Sequence, residues 1–467
     1  MRAYLAAVLI ALSVIGSTLV VAIEANASGS ESGEFPNRTF TVSKGLLSKS
    51  DKTGYTATID PTIDCTWYVE LVELGGASVK IVVLNESEAV LSSSKLTDVG
   101  SESERVSLIG GSAYHVAFSY VGKRGTSVLV ERTGGMPVPT TPHAPILISS
   151  NDDFTSANGV VSGSGALGDP YVIEGWDIDS STANGIEIRN ADAHFIVRAC
   201  NIQDGGSHDG IDLNFCSNGT LDSNNCSNNR IGIRLTSSGN NTLINNNCSF
   251  NNVRGVCLES SNNNALINNY CSSDFDSGIC LQSSSYNILN NNTCISSYYY
   301  GIDLEAFSNS NTIVNNICRL NYHDGIWIAT SSSNTLRNNN CSSNNRCGIT
   351  LFSGNNNEVT LNLILNNAAY GVNVSLSFCS YSRIWNNAIF GNNGAGSIYD
   401  PSHVQAFDDG SNTSWSSTDV FGNYWGDWTT PDVAPPEGIV DFPYDIAGSA
   451  GAKDYYPLTT TPTEPIQ

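Results

Sequence analysis

Glycine recurs through the middle of this chain at a nearly constant interval, and no other feature restricts the fold so severely. Gly185, Gly210, Gly232, Gly255, Gly278, Gly301, Gly325, Gly348 and Gly371 stand 25, 22, 23, 23, 23, 24, 23 and 23 residues apart, each followed by Ile or Val. A period this short and regular belongs to a solenoid, in which each repeat buries its apolar side only against its neighbours.

Within each block apolar residues fall one and three positions after the glycine, as in Gly301-Ile302-Asp303-Leu304 and Gly255-Val256-Cys257-Leu258. That alternation is a strand with those two residues inward and the one between them outward. A second strand follows an Asn, as in Thr242-Leu243-Ile244 and Thr335-Leu336-Arg337, and a third carries Cys226, Cys248, Cys271, Cys294, Cys318 and Cys341, each 16 or 17 residues after its glycine. Three short strands in about 23 residues leave no room for a helical crossover. The pattern predicts an all-β chain whose main domain is a parallel β-helix.

Asparagine marks the corners. Three columns keep step with the glycines: Asn224, Asn246, Asn269, Asn292, Asn316, Asn339 and Asn362; Asn241, Asn264, Asn287, Asn311, Asn334 and Asn357; and Asn229, Asn251, Asn321, Asn344 and Asn367. Asn accepts left-handed backbone, bonds neighbouring backbone at turns and stacks its amides coil to coil. The columns are therefore structural, and so is the inward cysteine column, where a small apolar side chain packs. Cys257 and Cys280 differ, because both lie two residues after their glycine and point outward on adjacent coils. A disulfide between them is within reach at the ~4.8 Å strand spacing.

Taken in order, Met1-Arg2 and an apolar run from Leu5 to Ile23 lead to Ala25-Asn26-Ala27, so residues 1–27 read as a secretory signal, with an uncleaved membrane anchor as the alternative. Residues 34–133 lack the Asn period and carry strand-like runs with Gly-rich turns, which predicts a small β-sandwich. A Pro/Thr linker spans 134–144, the β-helix 145–420, a closing cap 421–458 and a disordered tail 459–467. Net charge is -23 with only 14% charged residues, which excludes nucleic acid and anionic membrane surfaces as partners and suits an exported chain. Asn37 and Asn85, outside the repeat, are the better glycosylation acceptors.

The order of Trp67-Tyr68-Val69, Val79-Lys80-Ile81-Val82-Val83 and Ala113-Tyr114-His115-Val116 resembles pre-peptidase C-terminal jelly-roll domains. The segment from Pro145 to Ile178, the Asn-Asn-rich coils and the closing Phe421–Leu458 stretch resemble the NosD-type β-helix family, also described as carbohydrate-binding and sugar-hydrolysing (CASH) repeats. That resemblance implies a right-handed parallel β-helix, an exported location, and either periplasmic copper binding or a cell-surface role.

Copper needs soft sulfur or clustered imidazole. The chain beyond Met1 has one Met, Met136, and His at 115, 143, 194, 208, 323 and 403. His208 and His323 share a column but lie five coils, roughly 24 Å, apart. No metal site and no cofactor is expected.

Two outward groups have residue types suited to sugar chemistry. Glu187, Asp212 and Arg234 stack on successive coils, with His208 and Asp209 at the adjoining corner. Further along, Asp303 stacks beside Trp327 and Tyr300 beside Asp324, near Tyr299, Tyr322 and His323. Glycoside cleavage needs an acid and a base flanking the bond, which makes Asp303, Asp324, Glu187, Asp212 and His208 the catalytic candidates of a polysaccharide lyase or glycoside hydrolase. Sugar binding needs exposed rings, which makes Tyr300, Trp327, Tyr299, Tyr322 and His323 the candidates for a non-catalytic binding face, and the expected role is carbohydrate binding or structural, adhesive display at the cell surface or in the periplasm. The expected partner is a cell-surface polysaccharide or glycan, or an envelope protein, with no membrane contact beyond an N-terminal anchor.

Overall fold

The computed structural model describes residues 141–462 except 377, 418–420, 431 and 434–437, and before them only the backbone of seven strands between 55 and 137. Met1–Pro137 and Val138–Gln467 are separate compact units. In the first, Tyr55–Ile59, Tyr114–Val121, Ser78–Asn85 and Val90–Leu96 pair antiparallel in that order, and Glu102–Leu108, Cys65–Leu74 and Ser127–Pro137 form a second antiparallel sheet. The packing of the expected sandwich, the signal segment and Asn37 lie outside the described residues.

The second unit is a right-handed parallel β-solenoid of about ten coils with a spacing near 23 residues. The coils build a glycine sheet, a leucine sheet and a cysteine sheet. The glycine sheet has eleven strands, from Ile146–Ile148 to Ala406–Asp408, and the leucine sheet eleven, from Val160–Ser162 to Arg383–Trp385. The cysteine sheet runs as three strands and then seven, the two stretches bridged through Asn201, Asn225, Asn247 and Tyr270. Thr141–His143, inside the segment expected to be a linker, already pairs with Trp176, Asp177 and Ile178. Pro142 is tolerated there because the strand lies at a sheet edge.

Close stacking explains the glycine period. A Cβ at Gly301 would stand 2.6 Å from the Gly325 carbonyl oxygen and 3.0 Å from Cys318 Cβ. Ile302 and Leu304, and their counterparts in every coil, are fully buried, as are Cys226, Cys248, Cys271, Cys294, Cys318 and Cys341. The cysteine column is the inward, structural one that its spacing predicts.

The Asn-Asn doublets divide two tasks. Asn245, Asn268, Asn291, Asn315 and Asn338 take φ between 55° and 58°, turning the chain through left-handed backbone. The residue after each buries its amide: Asn246 Nδ2 donates to the Leu221 carbonyl at 2.8 Å and to Asn269 Oδ1 at 3.0 Å, and its backbone N–H reaches the same oxygen at 3.1 Å. The backbone bond repeats through Asn224, Asn269, Asn292, Asn316, Asn339, Asn362 and Asn387 to Asn423, and ends on Asp454 Oδ2. Each rung satisfies a buried N–H whose loss would cost about 1–3 kcal/mol. Trp425, stacked on Tyr444 at 4.0 Å, and buried Trp415 close the far end. Among the described residues no helix is long and apolar enough to cross a membrane.

Candidate functional site

At the corner between the cysteine and glycine sheets the chain departs from its Asn and Ser habit. In three successive coils the residue three before the glycine is Phe275, Tyr298 and Tyr322. Backbone bonds hold these corners in register: Tyr298 N–H donates to the Asp274 carbonyl and Tyr322 N–H to the Ser297 carbonyl, both at 2.9 Å. The rings therefore stand one above another. Phe275 and Tyr298 stack at 5.4 Å and 3°, Tyr298 and Tyr322 at 5.0 Å and 5°. Parallel rings at that separation are offset, which leaves a strip of each face open, and the three side chains are 61%, 46% and 53% exposed.

A second stack runs alongside. Tyr300 lies on Trp327 at 5.1 Å and Trp327 on Phe352 at 5.0 Å. Tyr299 and His323 fill the space between the stacks, 4.9 Å apart, with His323 5.9 Å from Tyr300 and 5.7 Å from Tyr322. All five residues named for a binding face thus meet in one patch. Burial and the neighbouring Arg346, whose Nη1 is 3.3 Å from His323 Nδ1, hold the imidazole below its ordinary range. A groove of about 620 Å³ follows the first stack, lined by Phe250, Phe275, Tyr298, Tyr322, Leu320 and Asn345 among others. Sequence reasoning missed Phe275 and Phe352. Phe275 was readable, since it keeps the glycine offset of Tyr298 and Tyr322; Phe352 lies four residues after Gly348 and shares no column with Trp327.

The carboxylates behave differently from the solvated, outward groups that strand alternation suggests. Asp303 is 4% exposed, Asp324 fully buried and Asp212 7% exposed. Burial pushes Asp303 well above the ordinary carboxylate range, against Arg254, and raises Asp324 above it, against the Cys347 N–H. The same burial, with Asp303 and Asp324 adding repulsion, raises the Tyr300 hydroxyl. The outward position is covered because long side chains reach across to the next coil.

The first constellation is a closed charge network. Arg230 grips Asp209 through Nε at 2.9 Å and Nη2 at 2.7 Å, Arg234 Nη2 takes Glu259 at 2.7 Å, and Glu187 is paired with Arg189. Asp212 is pushed up to about 6 by burial and by Asp209, with Arg234 opposing. His208 has its Nδ1 buried without a hydrogen-bond partner. No solvent-open pair of carboxylates results from either group.

Cys257 and Cys280 are strand partners, as their offsets require, yet both are fully buried and both are free thiols. Ile231 and Val253 pack against them and Arg254 Nη1 lies 3.4 Å from Cys257 Sγ, so the outward column here is a covered one. The hydrogen bond from the Cys280 thiol, assisted by Arg254, holds Cys257 below the usual thiol range, while that bond and burial push Cys280 well above it.

Residues 146–323 match the family model described as periplasmic copper-binding protein (NosD), and residues 265–406 match the right handed beta helix region. The resemblance to NosD-type repeats is borne out. No curated protein sequence matches the chain. Among solved structures, the periplasmic alginate epimerase AlgG aligns at 15% identity over 59% of this chain and 85% of its own, with TM-score 0.37. The A-module of a mannuronan C-5 epimerase from Azotobacter vinelandii aligns at 16% over 52% and 82%, with TM-score 0.42. The catalytic domain of an α-1,3-glucanase in complex with nigerose aligns at 13% over 82% and 96%, with TM-score 0.35. The fold assigned above stands on this chain's own strand register.

Copper can be tested against the residues present. Cuprous ion wants several converging soft donors and cupric ion clustered imidazole. Among the described residues the one converging group of ligand types, Cys280, Asp303 and Glu305, offers a single sulfur and no imidazole. The donor set does not fit copper.

Proposed function

We propose that this protein is an exported, non-catalytic binding module that holds an extended carbohydrate chain along the aromatic corner. The observation that carries this reading is the pair of ring stacks built from Phe275, Tyr298 and Tyr322 and from Tyr300, Trp327 and Phe352, bridged by Tyr299 and His323. Rings advance one coil at a time, ~4.8 Å, close to the length one sugar ring adds to an extended glycan. The flanks supply what hydroxyls need: tyrosine hydroxyls, Asn252 and Asn345 amides and the Arg346 guanidinium. Leu320 is the one aliphatic side chain in the groove lining, which suits a sugar face rather than the apolar pocket a protein hot spot fills. Export and a cell-surface or periplasmic address accord with the acidic charge and the apolar N-terminal run.

The test is a glycan array followed by titration calorimetry on each bound polysaccharide, wild type beside Trp327→Ala and Tyr322→Ala. Loss of about fivefold or more in affinity for either variant is expected, from a stacking contribution of about 1 kcal/mol or more per ring, by analogy with base–aromatic stacking. The alternative, a lyase or hydrolase, rests on Asp212, whose carboxyl is raised to about 6 beside Glu187 on the adjoining coil. Chain cleavage abolished by Asp212→Asn, Asp303→Asn or Asp324→Asn would replace the binding reading with that one.

A further inference from the structure

Beside the aromatic patch the outward position of the glycine sheet brings Cys280 and Asp303 into register on adjacent coils, with Glu305 two residues along the second strand. Cys280 Sγ and one carboxylate oxygen from each acid lie within 4.8 Å of one another. Cys280 and Asp303 are buried, whereas Glu305 keeps 35% of its side chain in solvent. The cluster is thus closed on the protein side and open at Glu305.

The protein leaves Asp303 unsatisfied. Its Oδ2 meets only the Cys280 thiol, at 3.8 Å, and its Oδ1 is buried without any hydrogen-bond partner. Arg254, the adjacent cation, is committed elsewhere: Nε donates to Asp276 Oδ2 at 2.8 Å, Nη1 stands 3.4 Å from Cys257 Sγ, and Nη2 approaches Glu305 Oε1 only at 3.7 Å. A buried carboxyl group with an orphan oxygen costs stability unless something binds it. A thiol and a second carboxyl group at ligand distance identify what that partner is.

We propose that Cys280, Asp303 and Glu305 form a three-ligand site for a borderline divalent cation of the Zn²⁺ class. One sulfur among two oxygens is too soft a set for Mg²⁺ or Ca²⁺ and too hard for Cu⁺, and it matches the mixed ligation that zinc accepts. Three protein ligands leave the fourth tetrahedral position to water on the Glu305 side. Gln282 Nε2 donates to Glu305 Oε1 and fixes its carboxylate from the second layer. The site stands independently of the carbohydrate reading.

Cobalt provides the test. Titrating the metal-stripped full chain with Co²⁺ is expected to raise a thiolate-to-cobalt charge-transfer band in the near ultraviolet that saturates at one equivalent. Cys280→Ser abolishes the band, Asp303→Asn weakens binding at least tenfold, and Cys257→Ser leaves the band in place. Thermal melts establish that each variant folds; Glu305→Gln, at the exposed rim, serves should the buried changes unfold the chain, and is also expected to weaken binding tenfold. Absence of the band, its survival in Cys280→Ser with Glu305→Gln unaffected, or its loss in Cys257→Ser would each overturn the assignment.

Discussion

Two of the asparagine ladders teach more side by side than either does alone. The ladder from Asn224 to Asn423 is continuous, each N–H donating to the amide oxygen of the next coil. The ladder that begins at Asn229 and Asn251 reaches Asp274, stops, and resumes where Ser297 N–H donates to Asn321 Oδ1 at 3.0 Å. Asp274 Oδ2 and Ser297 Oγ are buried without partners. The break falls in the coils whose next residues are Phe275 and Tyr298. A self-complementary corner has been relaxed one residue from where the surface turns aromatic, the pattern expected if local consistency yields to the proposed binding face.

The continuous ladder is the place for the largest effect. Asn292 accepts the Asn269 backbone N–H at 2.9 Å and donates to the Leu266 carbonyl at 2.8 Å. Asn292→Ala strands both groups and is expected to lower unfolding free energy by about 2–5 kcal/mol, read as a fall in urea midpoint at constant slope. A loss below 1 kcal/mol would mean that the ladder is decorative.

The broken ladder responds in the opposite direction. Burial, with Cys271 next, holds the Asp274 carboxyl well above the usual range. Its acid form is the one that fits, so its stabilisation is complete below the unfolded value near 3.8 and is lost as pH rises toward the folded one. Asp274→Asn is expected to match the parent near pH 4 and to exceed it by about 1–3 kcal/mol at pH 8. Melting curves at the two pH values decide; an equal gain at both removes the titration from the explanation. Ser297→Asn, which offers its amide oxygen to the Asp274 N–H, should give about 0.5–1.5 kcal/mol with little pH dependence, and the paired substitutions should couple, because they complete one chain of bonds.

Much of this architecture is legible in the sequence because a solenoid repeats its rules. Glycine offsets place Ile302, Leu304 and the cysteine column, and one-residue doublets place the ladders. What the repeat hides is contact between coils. Strand alternation marks Asp303 and Cys280 as outward, and they are; it is silent about their near-complete burial and about Arg254 from an earlier coil reaching Glu305 beside them. The same limit explains Phe352, which joins Trp327 by stacking across different offsets. The ladder break was legible as two gaps in an Asn column, at Asp274 and Ser297, but the gap's meaning needed the aromatic corner beside it.

The cysteine column has a use that its packing role does not exhaust. All twelve described cysteines are buried free thiols, and six stand in line at one per coil from Cys226 to Cys341. A thiol-modifying reagent reaches each only when its own coil separates from its neighbours, so modification rates read along the column form a map of local opening. In a nearest-neighbour array, fraying from the ends makes Cys226 and Cys341 react ahead of Cys271 and Cys294, whereas all-or-none opening gives one common rate. The chain carries its own set of depth gauges for how a solenoid comes apart.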